Sequence, residues 1–501
     1  MSAFLRTDDP VKTRRLLVQN TLYLTVSQVL AMPLSVLTTA IAAHYLGAAS
    51  FGYAYLAMTM CVFGFQAVGW GHENVLPAVV ARDRTVAGDM LASSLAWRAG
   101  MSLIVYVVLA FACYLLDYPS EMQWALVLSA LFMALTYFVQ ACKDTIRGLE
   151  RTDIPAYIHV GQQVLAVALV FVAMALGGKL RAALLAQSAA AALVLIATLP
   201  SLRSLGVGRL SIRWSTIASL FKDGTPFVIF GVAIALQPNI DALFLSKLSP
   251  ADVMGWYGVS RRLIGTLLLP ATTIIGALYP TLCRLYAHDR ESFSQTANGA
   301  LRSVALLAVP VAVCCGLFPE IGVAMFSRES FRPAEDNLRI SSVYVALVYL
   351  SMPLGTTILA AGKQRAWGFV QCLCVAASFI LDPILVPIFQ RQMGNGGLGL
   401  CVASVISEAV MIGCGVWLAP KGVFDQKLMR VVAFTLVSGA GMIAAAQLVK
   451  PFGPFVAAPL SLAAYAAGLW LMGVVDKDQL TAIASAVMRK PAALAPAVSN
   501  L

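Results

Sequence analysis

The chain has 501 residues, of which 59% are apolar and 12% charged, where soluble domains average about 45–50% and about 25%. A water-soluble fold is excluded, and the mean hydropathy of +0.81 agrees. The net charge of +11 is spread singly through short loops, without the basic stripe that would suit a nucleic-acid partner.

Lys12, Arg14 and Arg15 precede an apolar stretch reaching Leu46. It is too long for the core of a cleaved leader and reads as a first transmembrane helix. Six spans are predicted at 20–46, 51–70, 94–116, 124–142, 156–176 and 184–202. After a basic connector six more follow, at 226–245, 255–282, 303–318, 340–360, 367–389 and 398–417. Two further spans, 431–449 and 455–475, complete an all-α polytopic membrane protein of about fourteen helices. The ten cysteines fall in apolar runs or on one side of this arrangement, so they read as small core residues without disulfides.

Most Lys and Arg fall in loops on one side, Arg82, Arg147, Arg209, Arg365 and Arg430 among them. Basic residues near span ends are retained in the cytoplasm, which places both termini there. Landmarks also recur between the two six-span blocks. Gly52 and Pro77 answer to Gly255 and Pro280, Arg98 to Arg302, and Gly148-x-x-Arg151 to Gly362-x-x-Arg365. The offset drifts from roughly 203 to roughly 214, as loop insertions would make it. The expected organisation is therefore a parallel internal repeat: a six-helix lobe over 1–205, a second over 206–425, and two additional helices with a tail over 426–501, the pathway lying between the lobes.

Ala43-His44-Tyr45-Leu46-Gly47, leading to Phe51-Gly52-Tyr53, resembles the A-R-x-L-G…F-G-x-Y pattern of polysaccharide-lipid flippases. In the second block, Asn239-Ile240-Asp241-Ala242, Gly255-Trp256-Tyr257, Ser260-Arg261-Arg262-Leu263 and Tyr279-Pro280 resemble the same family's seventh and eighth spans. The chain is thus similar to the lipopolysaccharide and exopolysaccharide exporters of the multidrug/oligosaccharidyl-lipid/polysaccharide superfamily. The resemblance implies two six-helix lobes, alternating access and a bacterial inner-membrane location. It implies a cargo of undecaprenyl-diphosphate-linked oligosaccharide moved to the periplasmic leaflet. It further implies membrane lipid, a polysaccharide polymerase and export proteins as partners of a monomeric carrier. His44 departs from the pattern, standing where the family often carries Arg.

A diphosphate cannot cross hydrocarbon unaided, so a carrier needs cations at intermediate depth. Arg261 and Arg262 lie inside span eight and are the first candidates for that contact, with Asp241 and Asp252 the nearest possible partners. Adjacent helical residues diverge by about 100°, so only one of the two is expected to face the lumen. Arg98 and Arg302, equivalent across the repeat, are candidates at the cytoplasmic mouth, although positive-inside anchoring explains them as well. Polar lumen candidates are Gln28 near Pro33, His44, and Gln237, Asn239 and Asp241 around Pro238. A proline beside polar residues in both halves suggests interrupted helices, which often mark a binding site. Asp382 and Glu408 are the remaining acids inside spans, candidates for a coupling proton or sodium ion, or for interhelical bonding. His72, at the end of span two, is expected to be solvated.

The sequence carries no nucleotide-binding Gly-Lys-Ser/Thr loop, no His-Glu-x-x-His and no recognisable Ser-His-Asp arrangement. A transporter without catalytic residues, metal or cofactor is expected. The alternatives are a drug or cation antiporter of the same superfamily, which should line its lumen with carboxylates, and a membrane glycosyl polymerase, which needs a larger outer loop than this chain offers.

Overall fold

The structure, a computed structural model, describes residues 10–207 and 210–474; the side chains of 10–22, 24–25, 229–238, 277 and 328 lie outside the described set. The described residues form helices and no strand. In chain order these are α1 (Pro10–Gly69), α2 (His72–Arg82), α3 (Ala87–Leu115), α4 (Ser120–Gly148), α5 (Asp153–Ala175) and α6 (Leu180–Ser204). Then come α7 (Trp214–Leu248), α8 (Ala251–Leu267), α9 (Leu269–His288), α10 (Arg290–Leu317) and the short α11 (Pro319–Val323) and α12 (Arg328–Phe331). Last are α13 (Ala334–Ala360), α14 (Gln364–Met393), α15 (Gly397–Leu418), α16 (Gln426–Val449) and α17 (Pro454–Leu471).

Among the described residues, 11 helices are long and apolar enough to cross a membrane, or 12 if the pair α8 and α9, bent by 42°, counts as one. Fourteen spans were expected. Part of the difference lies in α1, which carries the first two predicted spans as one element. Its only non-helical residue is Gly47, at φ 71° and ψ 175°, a conformation open essentially to glycine alone. A second part lies in α7, whose residues 229–238 are outside the described side chains.

One compact unit comprises the described residues up to Leu267 together with Gly322–Ser341 and Gly368–Met411. In it α1 packs against α5 and α8, and α4 against α6. Its core joins Leu56, Met60 and Phe65 of α1 to Met122 and Leu126 of α4 and to Val253, Met254 and Tyr257 of α8. Lipid is as apolar as leucine, so helices associate there through close contact rather than exclusion of water. Small residues accordingly sit at the seams, with Ala57, Ala125, Ala141 and Ala183 all buried. The outer side of α3 shows the opposite: Leu103, Ile104, Val107, Val108 and Phe111 are each more than half exposed. An apolar stripe of that size beside a fully bonded helix fits contact with hydrocarbon.

The second unit comprises Leu268–Ile321, Ser342–Trp367 and the described residues from Ile412 to Val474. Here Met442, Tyr465 and Leu469 pack against Leu306, Val309 and Val313, uniting α10, α16 and α17. The Tyr465 hydroxyl donates to the Leu306 carbonyl at 2.8 Å. Six cysteines are buried as expected, but Cys283 and Cys372 are exposed rather than in the core, and all ten are free thiols.

Candidate functional site

Within the first unit a cavity of about 640 Å³ is bounded by α1, α4, α5, α6, α7 and α8. Each long wall comes from helical spacing. Ser35, Thr38, Thr39, Ala42 and Leu46 recur along one face of α1 before Gly47, and Phe51, Ala54, Tyr55, Met58, Thr59 and Val62 along one face after it. On α6 the lining face is Leu180, Ala183, Leu184, Gln187 and Ala190, and α5 contributes Gln162, Gln163 and Ala166. Asn239 of α7 and Gly258, Arg261 and Arg262 of α8 complete the polar lining. Among the described lining residues there are two arginines, three glutamines and one asparagine, and no carboxylate.

Both arginines reach the cavity, which corrects the expectation that only one would. The reason is that α1 packs along α8, so side chains about 100° apart on α8 meet different parts of the same wall. Arg262 donates through Nη2 to the Ser35 hydroxyl, on the segment of α1 before Gly47. Arg261 meets the Tyr55 hydroxyl, on the segment after Gly47, where Thr59 also bonds to Tyr55. Two neighbouring guanidinium groups therefore engage the helix on either side of its interruption.

Behind Arg261 lies an acidic pair. Asp241 of α7 is buried, within electrostatic reach of Arg261, and accepts from the Tyr257 hydroxyl at 3.0 Å. Asp382 of α14 is 1% exposed, and its carboxyl meets that of Asp241. Neither Asp382 oxygen has a hydrogen-bond donor among the described residues. Two buried carboxyl groups so close can bond to each other only when one of them carries a proton.

The other expected residues are placed elsewhere. Gln28 and His44 are exposed and do not line the cavity; His44 instead packs edge-on against Tyr45, with centroids 5.5 Å apart. Gln237 falls outside the described side chains. Glu408 is buried and partnered. Arg98 is not at an open mouth. It is 1% exposed, lies 3.5 Å from the fully buried Asp144 carboxylate, and donates to the Tyr137 carbonyl. In the second unit Arg302 is half-buried and bonded to Asp425 at 2.9 Å. His72 is fully buried rather than solvated, its Nδ1 paired with the Ser94 hydroxyl at 3.0 Å. The sequence reading missed Ser35, Tyr55, Gln162, Gln163 and Gln187. Their signal was present, since carboxamides and hydroxyls in long apolar spans call for a partner or a pathway.

Residues 17–286 match the sequence profile of the family described as polysaccharide biosynthesis protein. The chain belongs to that family. No curated protein sequence matches it significantly. Among solved structures the chain is similar in fold to the lipid II flippase MurJ in an inward closed conformation, with a TM-score of 0.70, 12% identity, and coverage of 90% of this chain and 98% of that one. It is also similar to an inward-facing multidrug resistance MATE family transporter of the MOP superfamily, with a TM-score of 0.60, 14% identity, and coverage of 83% and 98%. A third similar structure is the MATE multidrug transporter DinF-BH in complex with R6G, at a TM-score of 0.55, 18% identity, and coverage of 82% and 97%. The fold is that of the MurJ and MATE transporters, and the chain is a multi-pass membrane protein.

Proposed function

We propose that this protein moves an undecaprenyl-diphosphate-linked oligosaccharide from the cytoplasmic to the periplasmic leaflet of a bacterial inner membrane, serving surface-polysaccharide synthesis, with both termini in the cytoplasm. The observation that carries the reading is the cavity lining, which has two arginines and no carboxylate among its described residues. Guanidinium groups bind phosphate oxygens with a planar fork of donors, whereas a carrier of organic cations needs acids in its lumen. Arg261 and Arg262 take the diphosphate, and Asn239 adds a neutral contact. Asp241 and Asp382 hold the coupling proton or cation behind Arg261, so that charge arriving at one site is felt at the other. Arg302, with part of its surface exposed, is a candidate for first contact at the cytoplasmic mouth. Arg98 would have to leave Asp144 to serve there. Movement of the lobe 1–205 against the lobe 206–425 provides alternating access, with a polymerase and export proteins receiving the product.

The test is glycan export in a strain deleted for the gene, normalised to membrane abundance of each variant. Replacing Arg261 or Arg262 by Lys keeps charge but loses the fork, Ala loses both, and Glu reverses the attraction. Loss should rank Glu beyond Ala beyond Lys. Full export by a stably inserted Arg261→Glu, Arg262→Glu double variant would overturn the assignment.

A further inference from the structure

We infer that the wall formed by Gln162, Gln163 and Gln187 is a subsite for neutral sugar, separate from the arginines that take the diphosphate, and that it sets preference for the sugars next to the lipid carrier. The inference rests on the flippase reading and names the part of the cargo that this wall receives.

The cavity is chemically divided. Among the described residues every cation that lines it comes from α8, while α5 and α6 contribute three carboxamides and otherwise only alanine and leucine. A carboxamide both donates and accepts, as a sugar hydroxyl or acetamido group does. The match is thus to an uncharged, hydroxyl-rich ligand, since an acidic sugar would find no cation on this wall. The spacing leaves room for such a ligand. Ala166 follows Gln163 by three residues on α5, and Ala183 and Ala190 flank Gln187 at four and three residues on α6. Small side chains at these positions leave one side of each amide uncovered, with Leu184, three residues before Gln187, the one larger neighbour on that face. Gln162 is largely buried, at 7% exposure, so its amide is held in position rather than free to sweep. A carboxamide inside a span ordinarily serves as interhelical glue. Three of them opening on one cavity suits a ligand better, and the two roles are separable by experiment.

The experiment uses the purified full chain in lipid nanodiscs and measures the affinity of four probes. These are bare undecaprenyl diphosphate and the same carrier bearing glucose, galactose or N-acetylglucosamine. The subsite requires that at least one sugar-bearing carrier bind about tenfold more tightly than the bare one, a modest gain for a few new hydrogen bonds. In the Gln162→Leu, Gln163→Leu, Gln187→Leu variant that gain should vanish while affinity for the bare carrier is unchanged. Unaltered bare-carrier affinity is the control for folding. Should the triple variant lose it, the double Gln163→Leu, Gln187→Leu variant, which retains the buried Gln162, must lose most of the gain instead. No gain for any sugar in the wild type, or a gain that survives these substitutions, overturns the subsite and leaves the amides as packing groups. Failure to bind bare undecaprenyl diphosphate at all is a different result, since it rejects the flippase reading itself.

Discussion

Gly52 and Gly255 close the crossing of α1 and α8 reciprocally: a Cβ on Gly52 would overlap the Ala251 carbonyl, and one on Gly255 would overlap the Ala48 carbonyl. These are the same two glycines that the sequence pairs in an expected internal repeat, and Ala48 and Ala251 stand at the same offset. A parallel repeat is related by an axis along the membrane normal. If the two halves are so related, equivalent residues would meet where the axis passes between two helices. The obstructing atoms are backbone, which cannot swing aside as a side chain can. Gly52→Leu or Gly255→Leu should therefore destabilise the protein by about 1–3 kcal/mol or more, read as a lower unfolding temperature in detergent. Equal stability of both variants would refute the close crossing.

Gly47 should fail for a different reason. No atom lies within 4 Å of a Cβ placed there, but its backbone is in a region that side chains rarely adopt. Gly47→Ala should leave the packed core in place and straighten or shift the interruption of α1, altering the relation between Ser35 and Tyr55. The expected outcome is normal membrane abundance with impaired export. Loss of abundance in proportion to export would show that Gly47 serves only folding.

Arg261 and Arg262 were legible in the sequence because the rule involved is local. An arginine inside a span signals a partner, whereas the interruption of α1, expected beside Pro33, falls at Gly47 instead, and α1 stays helical through Pro33. Helix positions were legible for the same reason, hydropathy being a property of consecutive residues. What stayed hidden was tertiary. Nothing in the spacing of Arg98 and Asp144 reveals that α3 and α4 bring them together in a dry interior. Likewise Asp241 and Asp382 are far apart in the chain, and only the packing of α7 and α14 makes them neighbours. His72 looked like a solvated helix end because its burial depends on Ser94 and Trp97 of another helix.

The buried pair of Arg98 and Asp144 makes a sharp prediction about stability. Removing one partner of a buried ion pair leaves the other charge without compensation, at a cost of about 3–5 kcal/mol, whereas exchanging both for apolar residues of similar volume is often neutral. Arg147 at 3.7 Å and the Gln140 amide keep part of the compensation for Asp144, so Arg98→Ala should lower the unfolding temperature by less than that full cost, and Arg98→Met combined with Asp144→Leu should recover most of the loss. If the double variant is stable but cannot export, Arg98 has a part in transport after all. If it is stable and active, the pair is structural.

A pH-dependent effect is expected in the second unit. Asp425 caps α16, and its carboxyl is held below the ordinary carboxylate range chiefly by the Leu428 backbone N–H, with help from Asn298 and Arg302. A depressed carboxylate stabilises the folded state fully above the unfolded value near about 3.9, and that contribution fades as pH falls through the lowered folded value. Asp425→Asn, which keeps a capping oxygen but loses the charge, should be less stable than wild type near neutrality. The difference should shrink as pH drops below about 4. A pH-independent gap in unfolding temperature would remove the charge from the account and leave only its hydrogen bonds.

The last prediction concerns Arg261 and Asp241, because the proposed function asks this arginine to serve both the acid behind it and a diphosphate in front. Arg261→Ala should harm the protein twice, by removing a phosphate contact and by leaving Asp241 buried without its cation. The two effects can be divided. Adding Asp241→Asn to Arg261→Ala removes the uncompensated charge while keeping an acceptor for the Tyr257 hydroxyl, so stability should recover. Export should not recover, since the cavity still lacks that guanidinium. Two-thirds recovery of the unfolding temperature with export still at background would fit both duties. Recovery of export along with stability would mean that Arg261 acts only as the counter-ion of Asp241, and the diphosphate contact would then fall to Arg262 alone.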